Sequence, residues 1–219
     1  YQDHAFVALN TAFIQDGAFI RISGGEQAQK PIHLLFLSTA SETTTVSHPR
    51  NLIVVDKNSH ATIVESYVGL YQRPYFTNLV TELVVGENAT LDHYKLHRES
   101  DKSFHIATLQ IHQERNSNAR TFDVTLGGAI TRNEVNSVLD GEASECTLDG
   151  LYLVSDEQHV DNHTRLEHAK PHCDSREVYK GVLDGQATAV FHGRIVVRQD
   201  AQKTDSKQHN SNLLISDKA

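Results

Sequence analysis

Short runs of β-branched and aliphatic residues recur along this chain, and a turn-like stretch separates most runs from the next. The runs are HLLFLST (33–39), NLIVVDK (51–57), ATIVESYVG (61–69), NLVTELVVG (78–86), FHIATLQIH (104–112), RTFDVTLGG (120–128), VYKGVLDG (178–185) and FHGRIVVRQ (191–199). Several runs alternate apolar and polar residues, which is the pattern of a half-buried strand. Helical patterning is nearly confined to AFVALNTAF (5–13). The sequence therefore predicts an all-β fold.

The turns between these runs repeat at a nearly regular interval. Each combines a small or polar pair with a following small residue, as in NSHATIV (58–64) and GENATLD (86–92). The alanines of successive turns are Ala61, Ala89, Ala119, Ala143 and Ala187, separated by 28, 30, 24 and 44 residues. Another turn is expected inside the last interval. A period of roughly 20 to 30 residues built from short strands indicates a solenoid.

A parallel β-helix is the solenoid that fits this pattern best. Each coil would contribute two or three short strands stacked about 4.8 Å above the previous coil. Alanines suit the tight corners of such a coil, where a bulky residue would clash with the next layer. An antiparallel β-sandwich or barrel also consists of many short strands and stays open as the alternative.

Composition limits the class of protein further. The 219 residues fit a single domain spanning 1–219, with 38% hydrophobic and 22% charged residues. The net charge of −8 disfavours nucleic acid as a partner, because nucleic-acid-binding proteins usually present a basic surface. The longest apolar runs have the length of a strand, well short of the roughly 20 residues of a membrane span.

The two cysteines, Cys146 and Cys173, are too few for a disulfide framework, and the chain begins without a signal peptide. We therefore expect a reducing, cytoplasmic-type compartment. The chain contains no methionine and begins at Tyr1. From this we expect it to be a piece of a longer protein.

The segment HVDNHTRLEHAKPHC (159–173) is the densest cluster of candidate ligands in the sequence. It contains His159, His163, His168, His172 and Cys173. Histidines four residues apart resemble the helical zinc-peptidase motif, but the glutamate that this motif requires after the first histidine is missing. Pro171 also makes a helix improbable here. On strands the side chains would divide between two faces, so polar strand positions are favoured over a mononuclear zinc site.

Two interpretations of Cys173 remain open at this point. The adjacent His172 could favour a reactive thiolate. Unpaired cysteines are, however, among the most buried residues and are usually inert. No catalytic motif is present: the histidines of GENATLDHYKLHRES (86–100) do not match a metal-binding cupin, and Gly24-Gly25 and Gly127-Gly128 do not form a phosphate loop. The sequence predicts no catalytic, cofactor-binding or metal-ligating residue.

Four segments of the chain carry a resemblance to a known family. They are HPRNLIVVDKNSHATIVESYVG (48–69), TRNEVNSVLDGEASECTLDGLYL (131–153), HVDNHTRLEHAKPHCDSREVYKGVLDG (159–185) and AVFHGRIVVRQDAQKTDSKQHNSNLLISDKA (189–219). A spaced pattern runs through Asp161, Thr164, His168, Pro171, Cys173, Ser175, Tyr179, Lys180 and Gly181. These segments closely resemble the SufB/SufD family of iron–sulfur cluster assembly scaffolds, and within it they look more like SufD. The resemblance extends from about residue 30 to the end.

The resemblance implies a right-handed parallel β-helix whose flanking helical segments are largely absent from this chain. It also implies a non-catalytic scaffold subunit that pairs with a SufB-like subunit and is coupled to the SufC ATPase, in the cytoplasm or plastid stroma. A Cys-x-His-Gly motif of the family is expected after the segment that matches NLLISDKA. An iron–sulfur cluster is expected only in the whole complex, with none on this chain alone.

Within the chain, Cys173 matches a family position linked in SufB to sulfur handling. Cys173, with His172 and His168 beside it, is therefore the candidate for a sulfur-related or a structural role, and structural burial is favoured. A homodimer of the isolated core is a further possibility, and neither nucleic acid nor a membrane is expected as a partner. The alternatives are a stand-alone metal-binding β-solenoid and a β-helical carbohydrate lyase or hydrolase.

Overall fold

A computed structural model describes residues 4–39 and 44–219. One helix, α1 (Ala5–Ala12), precedes the strands. The strands are β1 (Phe19–Ile22), β2 (Ile32–Ser38), β3 (Val46–Ser47), β4 (Arg50–Val55), β5 (His60–Gly69), β6 (Phe76–Val85), β7 (Thr90–Arg98), β8 (Phe104–Gln113), β9 (Asn118–Thr125), β10 (Ile130–Leu139), β11 (Glu145–Val154), β12 (His159–His168), β13 (Asp174–Leu183), β14 (Thr188–Val197) and β15 (Asp205–Leu214).

From β4 onward, successive strands alternate between two sheets. One sheet has the order β1-β4-β6-β8-β10-β12-β14, with β3 beside β6, and the other has the order β15-β13-β11-β9-β7-β5-β2. Every strand pairing in the described residues is parallel, and several strands pair over ten positions, as β10 and β12 do. The chain is thus a β-solenoid of about seven coils. The prediction of an all-β parallel β-helix is confirmed, and parallel pairing excludes the antiparallel sandwich and barrel.

From β4 onward, the corners that lead from the first sheet to the second share one backbone feature. Each contains a non-glycine residue with a left-handed φ of 54° to 59°: Asn58, Asn88, Asn116, Ala143, His172 and Lys203. The intervals between them are 30, 28, 27, 29 and 31 residues, so each coil contributes one such corner. Asparagine tolerates this conformation better than most residues do. Asn88 Nδ2 donates to Asn58 Oδ1 at 3.0 Å and Asn116 Nδ2 to Asn88 Oδ1 at 2.8 Å, which joins consecutive coils.

The predicted role of alanine at the corners is partly wrong. Ala89, Ala143 and Ala187 lie in turns, but Ala61 and Ala119 lie inside β5 and β9. The feature that these corners share is the left-handed backbone, held by asparagine at three of the six positions and by alanine at one. The additional turn expected between Ala143 and Ala187 is present, at residues 169–173.

The helical pattern in residues 5–13 is confirmed by α1. The Asn10 side chain anchors this helix to the solenoid, since its Nδ2 donates to the carbonyl oxygens of Pro49 and Asn78 at 2.9 and 2.8 Å. None of the helices in the described parts of the chain has the length and hydropathy that a membrane-spanning helix needs. The interior between the sheets is filled by buried aliphatic side chains such as Ile53, Ile63 and Leu148.

Candidate functional site

The histidine-rich segment 159–173 does not gather its side chains into one site. In β12 the residues alternate between partly exposed and buried positions, so His159 and His163 lie on the outer side. His163 Nε2 lies 2.8 Å from Asp161 Oδ1, and its ring lies beside that of His192 on β14. His168 is fully buried at the end of the same strand. The alternation of a strand therefore separates the candidate ligands, as expected.

His168 takes part in a buried hydrogen-bonded chain. Its Nε2 lies 2.9 Å from Ser175 Oγ, which lies 2.7 Å from Ser206 Oγ on β15. Burial lowers the pKa of His168, which favours the neutral imidazole. These contacts connect β12, β13 and β15, so the observed role of His168 is to join strands of both sheets.

His172 and Cys173 lie at a corner of the solenoid. His172 is the left-handed residue of this corner, with φ 59°, and its side chain is exposed. Cys173 is fully buried, and its Sγ lies 3.3 Å from both Ser144 Oγ and the Gly141 carbonyl oxygen. The thiol therefore packs inside the stack of corners, while the imidazole beside it points outward.

Cys173 occupies a position that holds a small hydroxyl residue in most other coils. The residue after the left-handed one is Ser59, Ser117, Ser144 or Thr204 in the corresponding corners. Each of these hydroxyls donates to the carbonyl three residues earlier, for example Ser117 Oγ to Glu114 O at 2.7 Å. Cys173 thus replaces serine in a repeated turn.

Cys146 is the second buried thiol. It lies in β11 with its Sγ 3.3 Å from Ser137 Oγ. Burial raises the pKa of Cys146 to about 12, so the thiol stays protonated. Cys146 and Cys173 are both free cysteines.

A compact group of potential ligands lies elsewhere, where β7 ends and β8 begins. His97, Glu99 and His105 are buried, and one ligand atom from each lies within 4.8 Å of the others. Glu99 Oε2 lies 2.9 Å from His97 Nε2 and 2.7 Å from His105 Nδ1. Among the described residues, no other group of three or more histidine, cysteine or acidic side chains has this arrangement.

The other carboxylate oxygen of Glu99 is also held. Thr77 Oγ1 donates to Glu99 Oε1 at 2.9 Å, and Ser38 Oγ lies 3.5 Å from the same oxygen. Burial alone would raise the pKa of Glu99, but the His105 and His97 imidazoles outweigh it and hold the pKa well below its usual range. Burial lowers the pKa of His105 to about 4. The cluster therefore contains an ionised carboxylate beside a neutral His105.

A cavity of about 760 Å³ adjoins this cluster. Its lining includes Thr77, Tyr67 and Glu99, together with aromatic and aliphatic side chains such as Phe36 and Phe76. The His105 ring makes an edge contact with Tyr67, with ring centroids 5.3 Å apart. The cavity is large enough for a small molecule or ion, and it reaches the side chain of Glu99.

The polar interior continues into the neighbouring coils. Glu65 is fully buried and accepts a hydrogen bond from Tyr67 Oη at 2.8 Å, and His93 Nε2 lies 3.5 Å from its Oε1. Burial alone would raise the pKa of Glu65, but its contacts with His93 and Tyr67 lower it. Lys95 Nζ lies 3.1 Å from Asp123 Oδ2. Polar side chains thus line much of the interior of the middle coils.

The sequence does not predict the His97–Glu99–His105 cluster. In the sequence, His97 stands out only together with His93, and that spacing does not match the cupin motif. The available signal was a histidine and a glutamate at the end of one strand followed by a histidine at the start of the next. Gly127 packs closely against this turn, because a Cβ on it would lie 2.4 Å from the Glu99 carbonyl oxygen. The Gly127-Gly128 pair, which does not match a phosphate loop, thus has a packing role here.

Comparison with known proteins places this solenoid in a family. The family model described as "SUF system FeS cluster assembly, SufBD core domain" matches residues 36–219. The chain therefore belongs to the SufBD core-domain family of iron–sulfur cluster assembly proteins.

Individual relatives align over nearly the whole chain. An iron–sulfur cluster assembly SufBD family protein of Synechocystis is 37% identical over 99% of this chain and 50% of its own length. SufD of Escherichia coli is 31% identical over 98% of this chain and 51% of its length. The chloroplastic protein ABCI7 of Arabidopsis thaliana is 30% identical over 98% of this chain and 46% of its length. The chain thus spans about half the length of these relatives.

Proposed function

We propose that this chain acts as the non-catalytic β-helix core of a scaffold subunit for iron–sulfur cluster assembly. It would pair with a SufB-like subunit, and the complex would be coupled to a SufC-like ATPase. The observation that carries this proposal is the match to the SufBD core domain together with relatives named SufD. The cluster is the product of the complex and not a resident group of this chain. The proposed location is the cytoplasm or the plastid stroma, because the relatives include a bacterial and a chloroplastic protein.

The last coil supports an interaction role. Leu213, Leu214 and Ile215, at its end, are each more than half exposed. Apolar side chains in such a group are a common basis of protein–protein contact. Among the described strands β15 pairs only with β13, so it leaves an edge of its sheet to which a strand of a second subunit can add.

Co-purification tests the proposal most simply. The protein in its native length, carrying an affinity tag, should retain SufB-like and SufC-like proteins from its own host. Leu213→Asp should weaken retention of the SufB-like subunit, because it places a charge in an apolar contact. Phe19→Asp, at an equally exposed apolar position on β1, is the matched control and should retain it. Failure of the unmodified protein to retain either partner would contradict the proposal.

A further inference from the structure

We propose that His97, Glu99 and His105 bind one divalent first-row transition metal ion, of the class of Zn²⁺ or Fe²⁺. The site lies inside the solenoid, on a turn that the proposed partner surface does not include. It departs from the prediction that this chain holds no metal by itself. Two imidazoles and one carboxylate are a common ligand set for these ions.

The distances between the ligand atoms fit such an ion. Metal–ligand bonds of about 2.0–2.1 Å that meet at a right angle place two ligand atoms about 2.9 Å apart. The corresponding separations from Glu99 Oε2 are 2.9 Å to His97 Nε2 and 2.7 Å to His105 Nδ1. Two of the three edges of an octahedral face are therefore matched, and the ligand atoms of the two histidines lie within 4.8 Å of each other, so binding would draw the rings together around the ion. The remaining positions would be open to water or to a small ligand.

The orientation of the two rings identifies the atoms that would bind the ion. His97 Nε2 and His105 Nδ1 both face Glu99 Oε2, so these three atoms meet at one point inside the solenoid. The opposite nitrogens, His97 Nδ1 and His105 Nε2, are buried without a hydrogen-bond partner among the described residues and point away from this carboxylate oxygen.

The surroundings support and select the ion. Thr77 Oγ1 donates to the second oxygen of Glu99, which fixes the carboxylate as outer-shell partners do in metal sites. The neighbouring cavity is lined by Ser38, Thr77 and Glu99 and by neither histidine of the cluster, so it reaches the site as far as the Glu99 carboxylate. Nitrogen donors disfavour Mg²⁺ and Ca²⁺, which prefer all-oxygen sites, and the absence of a thiolate from the cluster disfavours Cu⁺.

The test is a metal titration of the protein in its native length, made metal-free with a chelator and freed of any histidine tag. We expect calorimetry with Zn²⁺, and with Fe²⁺ under anaerobic conditions, to show one tight equivalent. Glu99→Gln and His105→Gln should lose that equivalent or weaken it more than about tenfold.

Two variants serve as controls for loss of a histidine. His93→Gln removes an equally buried histidine from the same strand as His97, and His163→Gln removes one from the partly exposed group beside His192. Both should retain the tight equivalent. A tight equivalent that disappears with His163→Gln and persists in Glu99→Gln would overturn the proposal, as would the absence of any tight equivalent in the unmodified protein.

A spectroscopic measurement on the unmodified protein tests the site even if the variants fail to fold. Stoichiometric Co²⁺ should give visible d–d absorption of a nitrogen- and oxygen-ligated ion. One equivalent of Zn²⁺ should abolish this absorption by displacement. A spectrum identical to that of Co²⁺ in buffer, or one with intense thiolate charge-transfer bands, would contradict the assignment.

Discussion

Two buried carboxylates, one in the middle coils and one in the later coils, have opposite surroundings. Glu99 accepts hydrogen bonds from two imidazoles and a threonine, and its pKa is lowered despite burial. Neither oxygen of Glu177 on β13 is hydrogen-bonded among the described residues, and burial, which outweighs the nearby Thr164 hydroxyl, raises its pKa to about 7. Burial is similar at the two sites, so the supply of donors decides the charge state.

The same contrast extends to the residues around each carboxylate. The middle coils place imidazoles, a lysine and carboxylates in the interior, with a cavity beside them. The later coils place Cys146, Cys173 and His168 among stacked turns and strand ends. The buried side chains that could together bind a metal ion therefore lie in the middle coils. Within segment 159–173, His168 and Cys173 instead pack between neighbouring coils.

The largest expected effect comes from removing the carboxylate of the middle coils. Glu99→Ala leaves both imidazoles and the Thr77 hydroxyl without their buried acceptor, and should cost about 3–5 kcal/mol in the free energy of unfolding. Urea denaturation measures this loss. Glu87→Ala, which removes a surface glutamate paired with Arg115, should cost about 0.5 kcal/mol or less. Equal losses in the two variants would contradict the prediction that the buried Glu99 stabilises the fold more than the surface Glu87 does.

Glu177 should show its effect as a dependence on pH. Its folded-state pKa lies above the ordinary value, so the folded protein keeps a proton that the unfolded chain releases, and stability is lost as pH rises from about 4.5 through 7. Glu177→Gln cannot lose this proton. The stability of the variant relative to the unmodified protein should therefore rise by about 3 kcal/mol between pH 4 and pH 8. Urea denaturation across this range measures the difference in free energy of unfolding between the two proteins. A difference that stays constant with pH would contradict the raised pKa of Glu177.

The close packing of the later coils should be sensitive to one added methyl group. A Cβ on Gly181 would lie 2.1 Å from the Tyr152 ring on the neighbouring strand. Gly181→Ala should therefore cost about 1–3 kcal/mol through overpacking. Gly24→Ala is the control, because its nearest atom would be 3.4 Å away, and it should change thermal stability little. A neutral Gly181→Ala would show that the later coils are loosely packed.

The smallest effect is expected at the cysteine that the sequence singles out. Cys173→Ser restores the residue found at this position in Ser59, Ser117 and Ser144, and should change the free energy of unfolding by less than about 1 kcal/mol. Thiol labelling of the folded protein should also be slow, because Cys173 is fully buried. Rapid labelling, or a loss of several kcal/mol in the serine variant, would argue for a role beyond the turn.

Much of the fold follows from local signals in the sequence. Runs such as NLVTELVVG (78–86) predict strands because their β-branched side chains suit a pleated surface, and β6 is found there. The roughly constant spacing of turns predicts coils because each coil must return to the same corner. Alanine was a weaker guide than Asn58, Asn88 and Asn116, since the left-handed backbone is the stricter requirement at a corner.

The candidate site was much harder to predict. Within 159–173 the sequence correctly implies that alternation separates the histidines, because that rule is local to one strand. The His97–Glu99–His105 cluster depends on how a turn brings the end of β7 against the start of β8. Its hydrogen bond to Thr77 also requires the neighbouring coil. Such contacts depend on the register between coils, which cannot be deduced from a single sequence.

Zinc K-edge X-ray absorption of the zinc-loaded protein tests most directly whether metal-ligand chemistry lies in the middle coils. The structure predicts a first shell made only of nitrogen and oxygen, at about 2.0–2.1 Å. A sulfur shell at about 2.3 Å would instead place the ion at Cys146 or Cys173 and contradict the account.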